Sequence, residues 1–285
     1  MTKKTTVSLV LGSGGARGLA HIGIIRYLEQ NGYEIKSISG CSIGSLIGGF
    51  HAAGKLHLYE EWLESLDVFE MLKLLDFKGA GGFVSGTKLM AKLQEIVGEY
   101  NIEDLPIAFT AVAADISEEK EVWLNKGSLL QAIRASISLP MFFTPYHYKG
   151  RVLVDGGVLN PVPIAPTFGD ETDITIAVNL GGDAIYPSPL ASKEQIKNFS
   201  LKIQEYISKL SIPDAFVKED GMYVIANKSF DTMQGALARM KLAAYHPDVE
   251  ITVPRNLCGT FEFHKAQDII AYGYELCRNI EELRR

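Results

Sequence analysis

Ser42 lies between two glycines in Gly40-Cys41-Ser42-Ile43-Gly44. At a strand-to-helix turn, such glycines let the backbone bend sharply and leave the serine hydroxyl exposed. A serine held in this way is a nucleophile for acyl transfer, a reaction that also needs backbone N–H donors for an oxyanion. A source of donors lies upstream, in Leu11-Gly12-Ser13-Gly14-Gly15-Ala16-Arg17-Gly18. The elbow pattern alone is short enough to recur by chance, and the Gly-rich loop before it sharpens the reading. A serine hydroxyl also needs a base. Histidine is the usual choice, and the chain has six: His21, His51, His57, His147, His246 and His264. In the Ser-Asp-His order of an α/β-hydrolase, His246 or His264 would come last. Ser42 comes too early for that fold. His246 sits in a turn before Pro247 and His264 opens a helix, so both read as structural. Asp155 is the better base. It ends the apolar strand Val152-Leu153-Val154 and is followed by Gly156-Gly157, so nothing bulky shields its carboxylate. It is expected at the carboxyl edge of a sheet, beside Ser42 if the strands are parallel, where ligand sites of open α/β sheets gather. Burial there would raise its pKa and make it a better base. Taken alone, Asp-Gly-Gly reads equally well as a β-turn.

These residues need strands and helices to hold them. Val7 to Leu11 predicts a buried strand, Leu19 to Gln30 a helix stopped by Asn31-Gly32, Ile35 to Ser39 a second strand, and Ser45 to about Ala53 an apolar helix. Strand, loop, helix, strand, elbow and helix make a βαβ unit, and its parallel strands imply α/β architecture. Leu56 to Leu93 is helical but broken. Its cluster Leu66, Phe69, Met71, Leu72, Leu74, Leu75 and Phe77, before Gly79 to Gly82, reads either as core or as a mobile cap over an acyl site. Ile107 to Ala114 and Glu121 to Leu124 predict strands, paired as an antiparallel hairpin. Leu129 to Ala135 predicts a short helix and Ile174 to Leu180 a strand. Ile196, Phe199, Ile203, Ile207 and Leu210 fall at the spacing of an amphipathic helix. Ser229 to Tyr245 predicts a helix, Val249 to Val253 a strand, and His264 to about Leu283 a final helix. With no repeat and no linker, residues 1–285 read as one domain.

Composition narrows the partners. The chain has 285 residues, 47% hydrophobic and 22% charged, with a net charge of −6. That charge argues against nucleic acid and against strong attraction to anionic membranes. Cys41, Cys258 and Cys277 show no metal spacing and no disulfide framework, which suits a reducing compartment. No secretory or spanning segment is read, so a cytoplasmic protein without metal or cofactor is expected. Cys41 reads as a small packed residue beside the nucleophile. Arg17 either orients the Gly-rich loop or attracts an anionic head group, or is a surface arginine at a helix start. The helix dipole disfavours a cation there, so a specific partner is expected.

The Gly-rich loop, the elbow and Asp155-Gly156-Gly157 together resemble the patatin-like phospholipase family. Ala135-Ser136-Ile137-Ser138-Leu139-Pro140 resembles that family's Ala-Ser-x-x-x-Pro block. Asn160-Pro161-Val162-Pro163 and Val178-Asn179-Leu180 resemble its small bacterial members. The resemblance covers roughly residues 7–180, and Ser13 stands where the family's loop has its first glycine. It implies a mostly parallel central sheet with helices on both faces and a Ser42–Asp155 dyad without histidine. It also implies an oxyanion hole from the N–H groups of Gly14, Gly15 and Ala16, and hydrolysis of lipid acyl esters such as phospholipids or lysophospholipids. Without a spanning helix, contact with a membrane would be reversible.

Two other readings are carried. In the first, Gly12-Ser13-Gly14 opens a dinucleotide-binding loop, with Glu34 at roughly the 20-residue spacing of a ribose-binding acid. Arg17 then occupies the place of the third glycine, and the elbow and Asp155 are left unexplained. In the second, the chain is a non-catalytic lipid-binding or regulatory module of the same fold.

Overall fold

The fold, given by a computed structural model that describes residues 4–66, 68–74, 76–78, 83–190 and 222–284, is organised by an eight-stranded mixed sheet. Its first unit is β1 (Thr5–Leu11), a short 3-10 turn (Gly15–Leu19), α1 (Ala20–Gln30), β2 (Tyr33–Cys41) and α2 (Ile43–Ala52). Next come α3 (Leu56–Ser65), α4 (Val68–Lys73), a minimal antiparallel pair β3 (Phe77–Lys78) and β4 (Phe83–Val84), and α5 (Thr87–Val97). Then follow β5 (Ala108–Asp115), β6 (Lys120–Leu124), α6 (Leu129–Ser136), β7 (Tyr146–Tyr148), β8 (Arg151–Asp155) and β9 (Ile174–Gly182). The described chain ends with α7 (Met222–Ala244), β10 (Val249–Pro254) and α8 (Ala266–Arg278).

Strands β10, β9, β1, β2 and β5 lie side by side and parallel. Beyond β5 the pairing becomes antiparallel: β6 and β8 run against β5, and β7 runs against β8. The central strands are buried on both faces, which is why β1 reads as a mostly apolar run. Side chains alternate across the sheet. Val7, Leu9, Leu11, Ile176 and Val178 enter the main core with the apolar faces of α1, α2 and α8. Val10 and Ala177 point the other way, onto Val162, Ile164, Ala238 and Leu242, beneath α7.

One feature of the sheet decides the site. Along β5, β2 pairs with residues 108–112 and β8 with residues 113–115. Strand β6 spans residues 111–115. A strand has two edges, so β6 takes one while β2 and β8 share the other, running toward each other. Cys41 ends β2 opposite Val112, and Asp155 ends β8 opposite Ala113. The sequence reading set Asp155 beside Ser42 on the condition that their strands are parallel, and that condition is not met. Asp155 ends an antiparallel strand that meets β2 head-on.

The antiparallel hairpin across residues 107–127 is present as β5–β6. The broken helical stretch from Leu56 resolves into α3, α4 and α5. In its apolar cluster, Leu66 packs against the main core. The side chains of Phe69, Leu72 and Phe77, and all of Leu75 and Gly79 to Gly82, lie outside the described residues, as does the amphipathic pattern from Ile196 to Leu210. The helix expected from Ser229 begins at Met222, and the final helix is framed by short 3-10 turns. Strand β7 has no counterpart in the sequence reading. It is three residues long and pairs only at the sheet's edge.

Candidate active site

Ser42 occupies a backbone conformation that L-residues avoid, with φ 56° and ψ −126°. Such a residue persists only where its surroundings over-determine it. The glycines supply the room. A Cβ on Gly44 would lie 2.1 Å from the Leu11 carbonyl oxygen, and one on Gly40 would lie 2.5 Å from that of Gly44. Without these side chains, the first turn of α2 can press against the end of β1 where the Gly-rich loop leaves it. Serine is a common helix N-cap, yet the Ser42 hydroxyl makes no capping bond. Instead the Ser42 carbonyl accepts from Ser45 N–H at 2.9 Å and from Ser45 Oγ at 2.7 Å. The hydroxyl is thus left for chemistry, at the positive end of the α2 dipole.

The Gly-rich loop is held along its length. Gly12 N–H donates to Val178 O at 3.1 Å, Ser13 N–H to Pro161 O at 2.8 Å and Ala16 N–H to Thr260 O at 2.8 Å. The Ala16 donor expected for an oxyanion is therefore already engaged. Among the described residues no acceptor meets the N–H groups of Gly14 and Gly15, or that of Ile43 just after the serine. Below the loop, fully buried His21 bonds the Gly12 carbonyl through Nε2 at 3.0 Å. Burial lowers its pKa to about 4, so a neutral ring donates this bond.

Arg17 is buried rather than superficial. Its Nη1 donates to Arg255 O at 3.1 Å, and its Nη2 lies 3.6 Å from Asp231. Both contacts orient the loop against the C-terminal third of the chain. A cleft of about 400 Å³ runs alongside, lined by Arg17, Ser13, Asn179 and Gln234. Gln234 Nε2 donates to Ser13 Oγ at 3.1 Å, so the serine that replaces a glycine in the loop pattern is met by α7.

Asp155 is fully buried. Its Oδ1 accepts from Gly157 N–H at 2.8 Å and from the Cys41 thiol at 3.8 Å. Its Oδ2 is buried with no partner in hydrogen-bond geometry. Desolvation raises its pKa to about 6, and the Ser42 hydroxyl is foremost among the groups that pull it back down. The same burial, with the negative field of Asp155, pushes the Cys41 thiol well above its usual value, so Cys41 is a packed donor and not a thiolate. Nearby, Glu121 accepts from Lys241 Nζ at 2.7 Å and Asn160 Nδ2 at 3.0 Å, which ties the turn after Asp155 to α7.

Ser42, Asp155 and the loop from Gly12 to Gly18 thus converge where β1, β2 and β8 end. Among the described residues no histidine partners Ser42 or Asp155, and no cluster of metal-ligating side chains is present. Gln234 and Glu121 lie beyond sequence reasoning, since one sits mid-helix and the other mid-strand without a motif. Ser136, which accepts the Ser42 N–H at 3.0 Å, did carry a signal, because it belongs to the Ala-Ser-Ile-Ser-Leu-Pro block.

The patatin-like phospholipase family model matches residues 9–168. The chain belongs to the patatin-like phospholipase family. It is 37% identical to an uncharacterized NTE family protein of Mycobacterium tuberculosis, an alignment covering 95% of this chain and 89% of the relative. It is 27% identical to lysophospholipase NTE1 of Kluyveromyces lactis over 97% of this chain, which spans only 19% of that longer protein. Among solved structures, VipD from Legionella pneumophila aligns with a TM-score of 0.45 and 15% identity, covering 96% of this chain and 66% of VipD. Membership of this family points to lipid acyl hydrolysis.

Proposed function

We propose that this protein hydrolyses lipid acyl esters through a Ser42–Asp155 dyad. The observation that carries the reading is the head-on meeting of β2 and β8, which brings a strained, uncapped serine beside a buried carboxyl whose Oδ2 is unpaired. With a pKa of about 6, Asp155 is mostly ionised at neutral pH and basic enough to take a proton. In the first half-reaction, Asp155 accepts the Ser42 Oγ proton as the oxygen bonds to the ester carbonyl carbon. The carbonyl oxygen becomes an oxyanion, for which Gly14, Gly15 and Ile43 offer N–H donors. Collapse breaks the ester C–O bond, and the departing alcohol takes the proton from Asp155. In the second, Asp155 deprotonates a water that attacks the acyl-serine, and the fatty acid leaves with the proton returned to Ser42.

A phospholipid or lysophospholipid is the substrate class. The lysophospholipase name of the yeast relative supports the latter. No helix among the described residues is long and apolar enough to cross a membrane. Reversible contact would rest on exposed apolar groups such as Ile225, Met233 and Met240 on α7, and would vary little with salt. A fluorophosphonate probe tests the nucleophile. It should label wild type and spare Ser42→Ala, and equal labelling of both would remove Ser42 from the reaction.

A further inference from the structure

The Ala135-to-Pro140 block has no part in the chemistry above, yet it touches both halves of the dyad. Ser136 ends α6 and is fully buried. Its hydroxyl accepts from Ser42 N–H at 3.0 Å and donates to Val112 O at 2.6 Å. Two residues on, the Ser138 carbonyl accepts from Asp155 N–H at 2.9 Å. The segment is itself pinned. Ser138 Oγ donates to Arg134 O at 2.7 Å and accepts from Arg134 Nη1, while Arg134 Nη2 reaches Ser85 O at 2.8 Å and Thr144 O at 3.1 Å.

A brace is needed here because β2 and β8 are not paired with each other. Each meets the other only through its own stretch of β5, β2 being otherwise paired with β1 and β8 with β7. β5 sets the ends of β2 and β8 at neighbouring positions, but no ladder joins the two strands directly, and Ser42 lies one residue beyond the last β2 pairing. We propose that residues 136–138 are the positioning element of the dyad: the Ser136 hydroxyl holds the Ser42 backbone, the Ser138 carbonyl holds the Asp155 backbone, and the turn between them sets their spacing. This rests on the Ser42–Asp155 reading. Ser136 touches no reacting atom. It acts by holding Ser42 in its strained conformation and within reach of the carboxyl, where small displacements are costly.

Ser136→Ala removes the acceptor for Ser42 N–H and deletes no reacting group. On a soluble short-chain ester, kcat should fall about 10- to 100-fold while KM stays within about twofold, the signature of misplacement rather than lost binding. The acid limb of the kcat/KM profile should also move to higher pH. Among the described residues the Asp155 carboxyl is met by Ser42, Cys41 and Gly157 N–H, and withdrawing the Ser42 hydroxyl takes away a contact that favours the carboxylate. Ile251→Val, in β10 away from the site, serves as the stability control. Ser136→Cys, with a longer and weaker donor and acceptor, should fall between wild type and Ser136→Ala. If Ser136→Ala does not fold, Ser136→Cys and Ser138→Ala carry the same readouts. Folded Ser136 variants with wild-type kcat and an unmoved acid limb would overturn the proposal. So would activity lost only in proportion to melting temperature, as in Ile251→Val. Activity that survives Ser42→Ala instead overturns the dyad reading, so the two failures are distinguishable.

Discussion

In the proposed reaction, the parallel and antiparallel parts of the sheet contribute in opposite ways. The parallel part, β1-α1-β2-α2, offers serine and N–H donors at turns into helices, where unpaired amides and the helix dipole favour negative charge. The antiparallel part, β5 to β8, offers a carboxyl sealed from water, with one oxygen unpaired and its pKa raised to about 6. One side lowers the energy of an oxyanion and the other raises the energy of an anion before reaction. The base need not be a histidine if burial alone tunes a carboxyl to near-neutral pKa.

The largest test of this contrast is removal of either partner. Ser42→Ala and Asp155→Asn should each cost at least about 10³-fold in kcat/KM, and the double variant no more than the worse single one, because the two act as a unit. An Asp155→Asn enzyme with more than a tenth of wild-type turnover would show that the antiparallel side supplies no base. Gly44→Ala comes next. Its Cβ would lie 2.1 Å from the Leu11 carbonyl, a backbone atom that cannot swing away. It should destabilise by about 1–3 kcal/mol or more, and lower kcat as the elbow separates from the loop, read by thermal melts and kinetics.

The third test concerns pH. The carboxyl must be ionised to act, so kcat/KM should drop below an acid limb near pH 6. Stability should show the opposite sign. The folded pKa of about 6 lies above the ordinary 3.8, so ionised Asp155 weakens the fold above pH 6, and this penalty fades as pH falls toward 4. Asp155→Asn should therefore stabilise the protein by up to about 3 kcal/mol at pH 8 and by little at pH 4, measured by denaturant titration. The smallest expected effect is that of histidine. His246→Ala and His264→Ala should stay within about twofold of wild-type turnover, and a loss of about 10³-fold in either would install a Ser-Asp-His mechanism instead.

Much of this was legible in the chain, and for a local reason. A strand, a glycine turn and a helix are decided within a few residues by apolar period and backbone freedom, so β1, β2, α2 and the elbow follow from residues 7–53 alone. Ser42 and Asp155 stand out because Ser42 follows a strand between two glycines and Asp155 closes a short apolar strand before two more, and the antiparallel β5–β6 hairpin follows from two short runs and a turn. The direction in which β8 inserts is different. It depends on which edge of β5 is free after β2 and β6 have paired, a matter of three segments far apart in sequence. Apolar alternation reads the same for a parallel and an antiparallel strand, so only the assembled sheet brings Asp155 head-on to Ser42. The commitment of Ala16 N–H to Thr260 has the same origin, since its partner lies in the last tenth of the chain. Residue types and turns are thus written locally, whereas strand direction, the burial that tunes Asp155 and the Ser136 contact belong to long-range packing, which no short window of sequence contains.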